Sequence, residues 1–213
     1  MPPRRSAVNE QRRERAKSRI LGAAHALFTE RGYDATTMAQ VSRRAGVSTG
    51  LTVYYFRTKQ HLVQALADRL LHAQVVRAAR AAPAGADEQL AAIIDAVLQT
   101  AADEPQIIAM HLALLLQPDV AELLADGEHH WEQQAADVVQ QVLAARGDSG
   151  QAWLLFRATM MGAAYGLVSP YLPMPHALTR ERLFAEYGLD PKLGSPQVPA
   201  RPAGSLPARG AAR

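Results

Sequence analysis

Apolar residues recur along this chain at three- and four-residue intervals, the spacing that gathers them on one face of a helix. From Gln11 to Arg31 the positions Ala16, Ile20, Ala23, Ala24, Leu27 and Phe28 keep that interval, and Gly32 ends the run. A second stripe of Leu62, Val63, Leu66, Leu70 and Ala73 predicts a long helix from Thr58 to about Arg80, closed by Pro83 and Gly85. Further helices are predicted over about 87–103, 104–116, 118–146, 151–169 and 177–188. Pro105 and Pro118 fall near first-turn positions, where proline is tolerated, and Gly147 caps the third of these helices. No window alternates apolar and polar residues for long, so no strand is predicted and the fold class is all-α.

Between the first two long helices the pattern changes. Residues Thr36 to Lys59, TTMAQVSRRAGVSTGLTVYYFRTK, read as two short helices joined by a fixed turn. Thr37 with Gln40 three residues on is a capping box, Val41 and Ala45 form one apolar stripe, and Gly46 stands where a helix ends in a left-handed residue. Ser48 caps the second short helix. Its first residues, Thr49, Gly50 and Leu51, are small or neutral and let its N-terminus approach a nucleic acid in the major groove. Tyr54, Tyr55 and Lys59 follow with polar groups suited to phosphates. The layout is a helix-turn-helix over about 36–55, inside a three-helix domain over 12–58.

Charge sharpens this reading. Residues 1–60 hold 12 Lys+Arg against 4 Asp+Glu, whereas 61–189 hold 7 against 15, so a net charge of +3 conceals a basic block followed by an acidic body. A basic footprint confined to one end suits binding to double-stranded DNA by that end, through neutralised phosphates and released counterions. Residues 1–11 read as a flexible basic arm, 59–189 as the helical body, and 190–213, with five Pro and three Gly and no periodicity, as a disordered basic tail.

Composition changes little else. With 48% hydrophobic but only 6% aromatic residues, Ala and Leu fill most of the interior, which favours close-packed helices. Cysteine is absent, which fits the reducing cytoplasm, and no apolar run follows the basic N-terminus to make a secretory signal.

Three other signals in the chain compete with this reading. Gly46-Val47-Ser48-Thr49-Gly50 matches the G-x-S-x-G elbow of serine hydrolases, but that motif needs a strand before it and a helix-length segment stands there instead. His111, His129 and His130, with Glu128 and Glu132 nearby, raise a metal site, yet adjacent histidines point to different sides of a helix. No catalytic residue, metal or cofactor is therefore expected. The stretch Ala152 to Leu172 is apolar enough to raise a membrane span, but Arg157 and Pro170 interrupt it and no basic cluster flanks it. A helix buried on all sides, partly by a second copy of the chain, is the expectation, with Gly162 and Gly166 on one face allowing two such helices to cross closely.

With these residues in register, the chain resembles the tetracycline-repressor (TetR) family of bacterial transcriptional regulators over about residues 12–65: Thr-Thr before the second helix, Ala-Gly-Val-Ser in the turn, Gly50, Tyr-Tyr-Phe and Lys59. The resemblance implies a homodimeric, ligand-responsive regulator, most often a repressor, with a C-terminal helical bundle for ligand binding and dimerisation. It implies that Thr37 and Ser48 bind phosphate, that Thr49, Gly50 and Leu51 face base edges, and that Tyr54, Tyr55 and Lys59 clamp the backbone. Ala39 stands where family members often have Arg, and Thr52-Val53 replaces a Leu-Tyr pair. For the body it implies a cavity for a small apolar or aromatic effector, lined by Met110, Leu114, Trp131, Phe156, Met160, Met161 and Tyr165, with His111 and Arg157 as polar anchors. A hydrolase using Ser48 and an effector-less DNA-binding dimer are the alternatives.

Overall fold

The computed structural model describes residues 4–118, 130–148 and 150–193, with side chains from Val8 onward except those of His130 and Trp131. The chain divides into two compact units, the first extending to Leu66 and the second beginning at Ala67. The division thus falls eight residues later than the sequence boundary at 58.

In the first unit α1 runs from Arg4 to Arg31. The arm expected over residues 1–11 is helical from Arg4 onward, because no glycine or proline interrupts the segment and Glu10–Arg13 and Glu14–Lys17 pair at the i,i+3 interval. Gly32 closes the helix with an N–H bond to Phe28, and the buried Thr36 hydroxyl donates to the Gly32 carbonyl at 2.8 Å. Next come α2 (Met38–Ala45), α3 (Thr49–Tyr55) and α4 (Lys59–Ala67). Ile20, Leu21, Ala24, Phe28, Val41, Leu62 and Leu66 are among its fully buried apolar residues.

The second unit opens with a π-turn over Asp68–His72, followed by α5 (Ala73–Ala81), α6 (Ala86–Asp103), α7 (Pro105–Leu115), α8 (His130–Ala145), α9 (Ala152–Val168) and α10 (His176–Glu186). The predicted helices are present with ends shifted by one or two residues, except that the first part of the 118–146 segment lies largely outside the described residues. Helix α6 is central. It contacts α5, α7, α8, α9 and α10, and Leu90, Ile93, Ile94 and Leu98 on it are fully buried. Against α5 part of the packing is alanine alone: Ala78 meets Ala92 and Ala96 in a seam that Ala82 extends, beside the larger contact of Val75 and Val76 with the main core. Small side chains let the two axes approach closely.

The end of the body departs from the expected boundary at 190. Leu189 is buried, Arg180 pairs with Asp95 at 2.7 Å, and the same guanidinium donates to the carbonyls of Pro191 and Leu193. Residues 190–193 are therefore a fastened turn. The rest of the expected tail, 194–213, lies outside the described residues.

A candidate DNA-reading helix and a cavity in the body

The turn between α2 and α3 is built by backbone chemistry. The Thr37 hydroxyl accepts from Gln40 N at 3.2 Å while the Gln40 side chain accepts from Thr37 N at 2.9 Å, completing the capping box. At the other end Gly46 adopts φ 63°, ψ 41°; its N–H reaches Arg43 O and the Val47 N–H reaches Ser42 O, the paired bonds of a Schellman stop. Arg19 of α1 donates to Gly46 O at 3.0 Å, and a Cβ at Gly46 would stand 2.5 Å from that guanidinium. The left-handed torsion is what calls for glycine here; a Cβ would only displace the mobile end of Arg19 and its bond to Gly46 O.

Helix α3 begins at Ser48, whose hydroxyl accepts from Leu51 N at 3.1 Å. Its inner face is fixed by Thr52, fully buried, whose Oγ1 lies 2.8 Å from the buried Ser42 Oγ of α2. The Ser42 proton serves either that oxygen or the Met38 carbonyl at 2.7 Å, and Thr52 donates to Ser48 O. The departure noted at Thr52 is therefore a brace between the two short helices. Nothing in the pattern of apolar positions marks it, because a hydroxyl pair substitutes for an apolar contact.

The opposite face of α3 is open. Thr49, Gly50, Val53 and Tyr54 are exposed, with Tyr54 at 72%, while Leu51 and Tyr55 are half-buried at the flanks. A Cβ at Gly50 would meet nothing within 4 Å, so the packing of this chain does not explain the glycine. Tyr54 and Tyr55 stack edge to face at 5.2 Å, and Lys17 lies 5.8 Å from the Tyr55 ring. Lys59 is engaged within its own unit: Nζ donates to Tyr33 O at 2.8 Å and sits 4.2 Å from the Tyr33 ring centre. The Tyr33 oxygen is the backbone carbonyl; burial raises the pKa of the separate Tyr33 phenol, with the Asp34 carboxylate adding to the effect. Arg44 forms a fork with Glu30 at 2.6 Å through both nitrogens, which holds Glu30 below the usual carboxylate range. Arg43 on α2 is exposed and has no such partner among the described residues, a cation the motif reading passed over. No strand precedes Ser48, so the hydrolase elbow is absent: α2 leads into the turn.

Within the second unit lies a cavity of about 380 Å³. Val97, Ile108, Phe156, Met160 and Met161 are among its apolar walls, and His72, His111 and Arg157 bring polar groups to it. Four of these were expected as lining besides His111, namely Phe156, Arg157, Met160 and Met161. The remaining expectations divide. Met110 is half-buried and Leu114 is buried, but neither lines the cavity; Tyr165 is 64% exposed on the far side of α9; the Trp131 side chain lies outside the described set. Arg157 is itself exposed rather than enclosed among apolar neighbours, and it forms no ion pair among the described residues.

His111 is buried, with a pKa held down to about 3 by burial first, then by His72 and Arg157. It meets His72 edge to face at 5.9 Å, and its Nδ1 has no hydrogen-bond partner. Beside it, Asp68 of the π-turn lies 3.4 Å from His72 Nδ1 and accepts from the Glu132 N–H at 2.7 Å. His72 and Asp68 escape the sequence reading, since the π-turn that presents them has no periodic signature; Glu132, raised there only as a neighbour of a possible metal site, lines the cavity. His129 lies outside the described residues, and no group of three metal-ligating side chains occurs among those described.

The expected dimer glycines separate in the structure. Gly162 is exposed with open space beside it, but Gly166 is covered by its own chain: Met174 N donates to Gly166 O at 2.8 Å, and a Cβ there would lie 2.8 Å from the Met174 sulfur. Nor is α9 buried on all sides within one chain. Phe156, Met160 and Ala164 face inward, whereas Leu155, Ala158, Gly162 and Tyr165 form an outward stripe. Among the described residues no helix is long and apolar enough to cross a membrane.

Residues 20–66 match the family described as bacterial regulatory proteins, tetR family. These residues form a TetR-family N-terminal domain. Among curated TetR-type relatives, it is 44% identical over 50 residues to the HTH-type transcriptional regulator HbdR of Aromatoleum sp., covering 24% of this chain and 22% of that one. It is 37% identical over 83 residues to the regulator BetI of Escherichia coli, covering 37% and 43%. The match thus spans less than half the length of either relative. In fold the chain is similar to Thermus thermophilus FadR, a TetR-family repressor in complex with lauroyl-CoA, with TM-score 0.63 and 22% identity, covering 84% of this chain and 98% of FadR.

Proposed function

We propose that this chain is a homodimeric, ligand-responsive TetR-family transcriptional regulator, acting as a repressor on a pseudo-palindromic DNA operator. The observation that carries the reading is the outward face of α3. Its residues Thr49, Gly50, Val53 and Tyr54 are exposed, it is held rigidly from behind by Thr52, and it offers a glycine whose open space suits close approach to DNA. Thr49, Gly50 and Leu51 are assigned to base edges. Thr37, Ser48, Tyr54, Tyr55 and Lys59 are assigned to the phosphate backbone, Lys59 keeping two of its three ammonium protons after the bond to Tyr33.

The cavity supports an effector site, since about 380 Å³ of mostly apolar space falls within the range of small-molecule pockets. FadR, similar in fold, was crystallised with an acyl-CoA. A small apolar or aromatic effector is assigned here, releasing the protein from DNA. Release needs a ligand that binds the non-binding state better, and is limited by that difference in affinity. The outward stripe of α9, with Leu178 exposed on α10, supports a second copy of the chain as its cover, and Gly162 rather than Gly166 as the close-crossing point.

The test is to let the purified protein select fragments of its own genome and to sequence them. Two inverted half-sites about one helical turn apart, or a small multiple of it, are expected. Enrichment of single half-sites would overturn the dimeric reading, and absence of any enriched sequence would overturn the regulator.

A further inference from the structure

Resting on the effector reading above, we infer that the ligand of the body cavity is an apolar molecule bearing an uncharged hydroxyl group, a phenol or alcohol, whose hydroxyl closes on the His111 ring.

The cavity walls are apolar except at three places. One is Arg157, exposed to solvent; one is Glu132 and Gln133 on α8; and the third is the half-buried His72 with the buried His111, 5.9 Å apart. Of the pair, His72 is half-buried and has the Asp68 carboxylate 3.4 Å from its Nδ1 without a hydrogen bond between them, and Asp68 in turn accepts from the Glu132 N–H. His111 is the more enclosed. It is 95% buried, its one described ring contact is the edge of His72, and its Nδ1 finds no hydrogen-bonding partner. A buried polar atom left unpaired carries a penalty that a ligand atom can remove, and the gain falls on whichever ligand carries the matching group.

The kind of matching group follows from charge. A carboxylate placed at His111 would have to be buried against a neutral imidazole, because burial and the neighbouring Arg157 and His72 oppose a proton on that ring. An acid would seek Arg157 at the exposed edge instead. An amine would lose its hydration for a single neutral acceptor, which is no better. A hydroxyl donates to an imidazole nitrogen that lacks a proton and accepts from one that has it, so it fits either tautomer. A half-turn of the ring exchanges its two edges within the same volume, so either can be offered to the cavity. The rest of such a ligand, flat or branched, lies against Val97, Ile108, Phe156 and Met160.

The experiment measures binding of 2-naphthol, naphthalene and 2-naphthoate to the full-length protein by calorimetry, with the wild type and with His111→Leu. In the wild type 2-naphthol should bind about tenfold more tightly than naphthalene, the gain expected from one buried hydrogen bond, and more tightly than 2-naphthoate. In His111→Leu the advantage over naphthalene should vanish. Should that variant fold poorly, nitrogen-15 spectra of histidine-labelled wild type give the second readout, and 2-naphthol should shift the His111 ring nitrogens while naphthalene leaves them in place. Equal binding of naphthol and naphthalene, tighter binding of the naphthoate, or a preference that survives His111→Leu would overturn the hydroxyl assignment and leave the effector reading standing. Binding of none of the three by the wild type would overturn both.

Discussion

Gly50 and His111 show how one side chain, or the lack of one, reports function. A glycine inside an exposed helix costs about 0.5–1 kcal/mol relative to alanine, and here no contact within the chain requires it. Gly50→Ala should therefore raise thermal stability slightly while weakening operator binding in fluorescence anisotropy. A variant that kept full affinity would refute close approach of the DNA at this position. His111 makes a pH-dependent prediction. Its ring titrates near 6.5 when unfolded and near 3 when buried, so between these values the unfolded chain binds one more proton. The fold bears no penalty from this group above pH 6.5 and loses stability as pH falls toward 3, by roughly 1.4 kcal/mol per unit. Urea titrations at pH 7 and pH 4.5 should show this loss, and His111→Phe should reduce it; identical pH profiles for the two proteins would mean that the ring is not held neutral.

At the scale of elements, the α2–turn–α3 unit is readable from the residues alone because the caps that start and stop its helices are local. The capping box, the Gly46 stop and the Ser48 cap all lie within sixteen residues of one another. Features set by distant packing were not readable. The 151–169 helix is apolar on nearly every side, so periodicity could not tell the inward face of Phe156, Met160 and Ala164 from the outward face of Tyr165, and Tyr165 was placed in the cavity wrongly. Gly166 was assigned to a subunit contact because nothing in the pattern reveals that the chain turns back and lays Met174 over it. The arm was read as flexible from its charge, although Arg, Glu and Gln are good helix formers. The Ser42–Thr52 brace yields a prediction at this scale. Ser42→Ala and Thr52→Val should each cost about 1–3 kcal/mol, since each leaves a buried hydroxyl with fewer partners, and the double variant should cost clearly less than their sum. Strict additivity in denaturant melts would show that the two hydroxyls are uncoupled.

At the scale of the whole molecule, the proposed dimer can be separated from the fold. Tyr165 is exposed in the single chain, so Tyr165→Glu should leave secondary structure and melting of the isolated chain intact yet give monomers in sedimentation and weaker operator binding. A Tyr165→Glu protein that remained dimeric would move the interface elsewhere. The alanine seam between α5 and α6 has a consequence for motion. Alanine has no rotamers, so Ala78, Ala92 and Ala96 cannot accommodate a shift of one helix against the other by turning side chains; the contact holds as a unit or opens. Methionine can adapt, and Met160 and Met161 line the cavity from α9, whereas none of the seam alanines does. The body thus joins a stiff helix pair to a more compliant cavity wall. In amide hydrogen exchange α5 and α6 should form the slowest block, unchanged by effector, while α7 and α9 should absorb the displacement that ligand entry causes.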